Sequence, residues 1–174
     1  MKDQIERAID LVIEQDQNEF LEFLKAQERI DNYTVRPDGT VDVDGDANLF
    51  KMNLTKIPVK FGVVTRDFLC DHNQLTSLIG CPEEVRGSFN CTHNQLTSLE
   101  GSPVEVGGSF NCSYNLLTSL IGCPEEVRVG FYCNHNPINF TKKDIELAKQ
   151  GKAPLGLPLS FVLMKKKEKE FYKR

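Results

Sequence analysis

Phe68-Leu69-Cys70-Asp71-His72-Asn73-Gln74-Leu75-Thr76-Ser77-Leu78-Ile79-Gly80-Cys81-Pro82-Glu83-Glu84-Val85-Arg86-Gly87-Ser88 is followed at once by a second stretch of the same pattern, beginning at Phe89. Phe68, Phe89, Phe110 and Phe131 recur every 21 residues, and so do Cys70, Cys91, Cys112 and Cys133. Asn73, Asn94, Asn115 and Asn136 keep the same step, followed by Leu75, Leu96, Leu117 and Ile138 and by Leu78, Leu99 and Leu120. Gly80/Gly101/Gly122, Pro82/Pro103/Pro124 and Val85/Val106/Val127 complete the unit. A fixed period of this size is the signature of a solenoid, in which each unit buries its apolar face against its neighbours.

Upstream, Ala47, Leu49, Leu54, Ile57 and Val64 precede Phe68, Cys70, Leu75, Leu78 and Val85 by one period, but Met52 stands where the asparagine belongs. A terminal unit that loses its polar residue reads as a cap, so the solenoid is expected over residues 47–140. Phe and Cys alternate around an outward residue, which predicts one short parallel strand per coil. One coil buries too little apolar surface to offset the entropy of ordering its backbone, so the coils must stack. The asparagines are expected to turn inward and satisfy backbone groups at the bend after the strand. The glycines and prolines leave the return arm non-helical.

The unit's F-x-C-x-x-N-x-L core resembles the leucine-rich repeat, above all the short bacterial form with P-x-x-L-x-x-L-x-V-x-x-N-x-L. It departs by one residue, since Val85 to Phe89 is a four-residue step where that form has three. It is more similar to a group of tailed-phage and bacterial proteins that carry F-x-C-x-x-N-x-L-T-S-L-x-G-x-P-x-x-V-G-G repeats after a T-V-D-V-D-G-D lead-in. Thr40 to Asp46 reads T-V-D-V-D-G-D. The resemblance covers residues 31–140 and implies a leucine-rich-repeat-like solenoid of phage or bacterial origin, with little about a partner.

Residues 1–30 are expected to form a helical cap. Ile5, Ala8, Ile9, Val12 and Ile13 make one apolar stripe, and Phe20, Leu21, Phe23 and Leu24 a second helix with Asp16 or Asn18 near its start. Residues 31–46 form the hairpin lead-in, with Tyr33-Thr34-Val35 and Val41-Asp42-Val43 flanking Arg36-Pro37-Asp38-Gly39. In residues 141–174, Thr141 with Asp144 caps a helix over 142–150 that Gly151 ends. Leu155 to Met164 is expected to pack on the last coil, and a basic tail follows. The whole is expected to form one compact domain.

The net charge of −4 gives no reason to expect nucleic acid, but it is unevenly spread: −8 over residues 1–50, −2 over 51–140 and +6 over 141–174. Lys165, Lys166, Lys167, Lys169, Lys173 and Arg174 could meet phosphate, although Glu168 and Glu170 among them weaken that reading. The charged start Met1–Arg7 has no apolar leader segment, and the longest apolar stretch, Pro154 to Met164, is too short to span a bilayer. Four of the six cysteines fall in one inward column, where they act as small apolar groups. Cys81 and Cys123 are two coils apart on the return arm, so reduced thiols and a cytoplasmic setting are expected.

Catalytic signatures are lacking. No phosphate-cradling glycine loop, nucleophile elbow or H-E-x-x-H occurs, and Glu83-Glu84 and Glu125-Glu126 sit in repeated return-arm positions. Asp42-Val43-Asp44-Gly45-Asp46 has its glycine too early for a calcium loop and reads as a strand followed by a turn. His72, His93 and His135 form a column that Tyr114 interrupts, which suits recognition better than a metal, and no cofactor is expected. The candidate partner-binding face is the outward side of the strands: Leu69, Asn90, Asn111 and Tyr132, then Asp71, Thr92, Ser113 and Asn134, flanked by His72, His93, Tyr114 and His135. The expected function is non-enzymatic protein binding, with inhibition of a host enzyme or defence factor as the form implied by the resemblance. Nucleic-acid binding through the tail and strand face, and a structural role in a virion or assembly, are the alternatives.

Overall fold

A computed structural model describes residues 15–151 of the 174. A helix, α1, occupies residues 15–26. It is already helical at residue 15, so Asp16 and Asn18 lie inside it and do not start it. The stripe from Ile5 to Ile13, the Leu155–Met164 segment and the basic tail fall outside the described residues.

After α1 the chain forms β1 (Ile30–Val35), β2 (Val41–Asn48), β3 (Phe61–Val64), β4 (Phe68–Leu69), β5 (Glu84–Val85), β6 (Phe89–Asn90), β7 (Glu105–Val106), β8 (Ser109–Asn111), β9 (Glu126–Val127) and β10 (Gly130–Tyr132), then helix α2 (Lys142–Lys149). The result is a parallel-strand β-solenoid of about four turns. Each turn carries two short strands rather than the single strand expected. Phe68, Phe89, Phe110 and Phe131 pair in register along one ladder, and Val64, Val85, Val106 and Val127 along another. The Glu-Val dipeptides of the return arm therefore also run as strand, with valine inward and glutamate outward. A β-branched residue every 21 positions is the signal for this second ladder, and its tight link to the next phenylalanine hid it.

β2 joins the two ladders. Its residues alternate between buried and open along all eight positions, Val41, Val43, Gly45 and Ala47 facing in. Its first half pairs with β3 and its second half with β4. β1 pairs with it antiparallel through Arg36–Gly39, confirming the hairpin. The acidic run is spent on structure. Asp42 takes two 2.7 Å bonds from Arg36 and one of 2.8 Å from the Val63 N–H, which hold its carboxyl below the usual range against the cost of burial. Asp44 accepts from Thr65 Oγ1 and Asp46 from the Asp67 N–H. Gly45 sits at φ 132°, and a Cβ there would strike the Asp31 side chain.

The core is a file of like residues. Phe68, Phe89 and Phe110 are fully buried, with ring centroids 5.5 and 5.3 Å apart and planes within 9°. Beside them run Cys70, Cys91 and Cys112, then Leu75, Leu96 and Leu117, then Leu78, Leu99 and Leu120, all at 0% exposure. Leu21 and Leu24 of α1 and Ile30 of β1 close the N-terminal end. At the other end α2 is capped as expected, Thr141 and Asp144 exchanging bonds, with Gly151 at φ 67° beyond it.

The asparagine column turns inward, as its position demanded. Asn94 Nδ2 donates to the carbonyls of Cys91 and Thr92 in its own coil and of Cys70 in the coil before, while its Oδ1 accepts from the Leu75 N–H. Asn73, Asn115 and Asn136 repeat the scheme. Replacing Asn94 by alanine leaves several buried backbone groups unpaired, for a loss of roughly 2–4 kcal/mol in urea denaturation. Asn136→Ala, at a half-buried end position, is expected to cost roughly half as much.

Candidate functional site

The chain turns the same corner in every coil. Two residues after each buried Cys, or after Leu49 in the first coil, comes a residue in the left-handed region: Lys51, His72, His93, Tyr114 and His135, all with φ between 53° and 56°. In four of the five coils the inward asparagine bonds across this corner, its amide reaching carbonyls two and three residues back, and the first coil keeps the same corner with Met52 in the asparagine's place. An L-residue pays about 1–2 kcal/mol for that conformation. Asparagine or glycine would suffer least, yet rings occupy four of the five places.

Those rings stack. His72 and His93 lie 4.2 Å apart, His93 and Tyr114 4.4 Å, and Tyr114 and His135 4.2 Å, with planes within 15°. Phe50 closes the near end, edge-on to His72 at 5.3 Å. Stacking offsets the backbone strain at about 0.5–1.5 kcal/mol per pair. It also decides what the column can do. The ring faces are used on one another, so only their polar edges and the outer face of His135 are offered. Near-parallel imidazoles aim their lone pairs in parallel rather than at a common point, which does not suit chelation. Among the described residues no group of three metal-ligating side chains is gathered. His72 Nδ1 lies 2.9 Å from Asp71 Oδ2, and that bond to a carboxylate sets the Nδ1–H tautomer.

The strand face differs from expectation. Asp71, Thr92 and Ser113 are buried, not outward, at 7, 7 and 5% exposure. The left-handed corner breaks the strand alternation one residue after cysteine and tucks them under the turn. Asn134, their counterpart in the last coil, is exposed. Leu69, Asn90 and Asn111 are half-buried, and the two asparagines bend back to accept from the Thr92 and Ser113 N–H groups at 3.1 Å. Tyr132, in the same column, is 46% exposed.

The open surface lies past the corner instead. His72, Gln74 and Thr76 point out while Asn73 and Leu75 point in, and the next coils repeat this with His93, Gln95 and Thr97, then Tyr114, Leu116 and Thr118. The glutamine and threonine columns were missed in the sequence. Their signal is the alternation that resumes after the asparagine and carries through the leucine. The face is almost free of formal charge, whereas Glu84, Glu105 and Glu126 line the second ladder, the first and last held by Arg86 and Arg128.

All six cysteines are free thiols, five of them buried. Cys70 and Cys81, eleven residues apart, meet across the thin core, a proximity the repeat alone does not announce. Burial pushes the Cys81, Cys91 and Cys112 thiols well above their usual range, and those of Cys123 and Cys133 to about 11. Held protonated, they are poor nucleophiles at neutral pH.

Two outcomes follow from this chemistry. A thiol pKa raised by folding stabilises the fold fully below its ordinary value of 9.0 and ceases to do so as pH rises through about 11. Denaturation midpoints should therefore hold steady through neutral pH and fall above pH 9, and a thiol reagent at neutral pH should label the five buried cysteines only after unfolding. At the corner, Tyr114→Asn should change stability by less than about 1 kcal/mol, whereas Tyr114→Val, β-branched and strained at positive φ, should cost about 2 kcal/mol.

No known family model, curated protein or solved structure matches this chain.

Proposed function

We propose that this protein is a non-enzymatic binding module that grips a protein partner through the exposed ring column and the columns beside it. The observation that carries this is the stack of His72, His93, Tyr114 and His135, held at fixed corners of a rigid scaffold. Side chains already immobilised lose little entropy on binding, and tyrosine is among the residues that dominate interface energies. Tyr114, Leu116 and Tyr132 gather exposed apolar area towards the C-terminal coils, with polar glutamine and threonine around it. An apolar centre with a polar rim is the usual anatomy of a protein interface.

The finer reading follows the repeat: a leucine-rich-repeat-like protein of phage or bacterial origin, acting in the cytoplasm to inhibit a host enzyme or defence factor. It is supported by the F-x-C-x-x-N-x-L spacing and by cysteine thiols that sit in the core. Base stacking on this face is disfavoured, since the rings already cover one another.

Substituting His93, Tyr114 and Tyr132 together by alanine should reduce capture of the partner from host extract at least about tenfold, the loss of some 1.4 kcal/mol or more. The melting temperature should stay within a few degrees of the parent. Capture that is undiminished by the triple substitution contradicts the proposal.

A further inference from the structure

Among the described residues, the solenoid ends on the same surface with which it joins its own coils. In the strand order β10-β8-β6-β4-β2-β3-β5-β7-β9, both outermost strands belong to the last coil, so both free edges lie at the C-terminal end. Within the solenoid each coil donates to the next: Cys70 N–H to the Asn90 carbonyl, Cys91 to Asn111 and Cys112 to Tyr132, at 2.8–2.9 Å. The corner residues do likewise, His72 to Thr92, His93 to Ser113 and Tyr114 to Asn134. The N–H groups of Cys133 and His135 stand in the same positions and have no acceptor among the described residues.

Among the described residues both ring stacks stop at this edge. Phe68, Phe89 and Phe110 are fully buried, but Phe131 is only half-buried, and Val127 is half-buried where Val85 and Val106 are sealed. The outer face of His135 carries no further ring among the described residues. Helix α2 seats Ile145 and Ala148 against the core and places Asp144 near Cys133, yet it adds no strand to β9 or β10. The opposite end is closed by β1 and α1, so the two ends differ among the described residues.

We propose that this edge is a second binding site, which takes an extended segment of a partner protein as a parallel strand beside β10. An unpaired strand edge templates strand addition, with the main chain supplying affinity and alternate side chains specificity. The coil-to-coil interface, present several times in the molecule, defines the occupant's chemistry. Opposite Phe131 it carries an apolar ring, opposite Cys133 a small apolar residue, and opposite His135 a planar ring. A second copy of the chain fits less well. Two-fold symmetry would set β10 against β10 antiparallel, and neither stack would then continue. The site shares His135 with the ring column of the proposed function, but the β10 edge and Phe131 lie off that face, so each can fail alone.

The probe is a fluorescent peptide with the sequence of Ser109–Leu117, S-F-N-C-S-Y-N-L-L, titrated with the full chain. Saturable binding is expected, weakened at least about tenfold when the peptide's Phe and Tyr are both changed to Ser. Phe131→Glu should weaken it similarly, and His135→Ala, at an exposed position, gives the same reading by a smaller factor where Phe131→Glu melts early. A His72→Ala/His93→Ala variant, whose rings do not touch His135, should still bind the peptide, which separates this edge from the side face. Absence of binding, indifference to the peptide's rings, or binding unaffected by both edge variants overturns the proposal. So does a full-chain dimer in sedimentation that the peptide cannot dissociate.

Discussion

Everything in this structure depends on one side-chain amide per coil reaching across to the coil before it. A parallel ladder of two- or three-residue strands has too few main-chain bonds to hold register alone. Each buried asparagine adds bonds that are specific in position, because its Nδ2 and Oδ1 serve carbonyl and N–H groups a fixed number of residues away. Leaving such groups unpaired in an apolar interior is costly, so a slip of register is penalised at every coil. The phenylalanine and leucine files supply the larger share of apolar burial, but they would tolerate sliding far better than the amides do.

The same amide shapes the surface. It bonds across a corner whose residue lies in the left-handed region, a corner the first coil keeps at Lys51 without it, and that residue's side chain is thrown outward at an unvarying angle. Repetition then brings the outward side chains face to face about one strand spacing apart, roughly 4.8 Å. The stacked imidazoles and phenol are thus a product of the core's hydrogen bonding. Their rigidity is inherited from the core, and a preformed recognition surface needs that property. The chain has placed strained rings where asparagine would sit more easily, and stacking alone only about balances that strain.

The repeat, the inward cysteine and asparagine columns, the hairpin and the capped C-terminal helix were legible in the sequence, since each rests on a local rule with one solution. The second ladder was not, because Val85 and Phe89 sit too close together for both to be read as strands without knowing that the chain bends between them. The inward turn of Asp71, Thr92 and Ser113 was hidden for a related reason: period-two alternation fails at a left-handed residue, and nothing in a histidine or tyrosine announces positive φ as glycine would. Gln74, Gln95 and Leu116 could have been found by restarting the alternation after the asparagine. The thiol contact of Cys70 with Cys81 depends on how thin the coil is, which no pairwise spacing encodes.

Native-state hydrogen exchange tests the role of the asparagine bridge most directly. The amides of Leu75, Leu96 and Leu117, whose acceptors are the asparagine Oδ1 atoms of the following coil, are expected to exchange only through global unfolding. The amides of Cys133 and His135, with no acceptor among the described residues, should exchange far faster. Rapid exchange at Leu75, Leu96 and Leu117 would contradict the claim that these side-chain bridges hold the coils together.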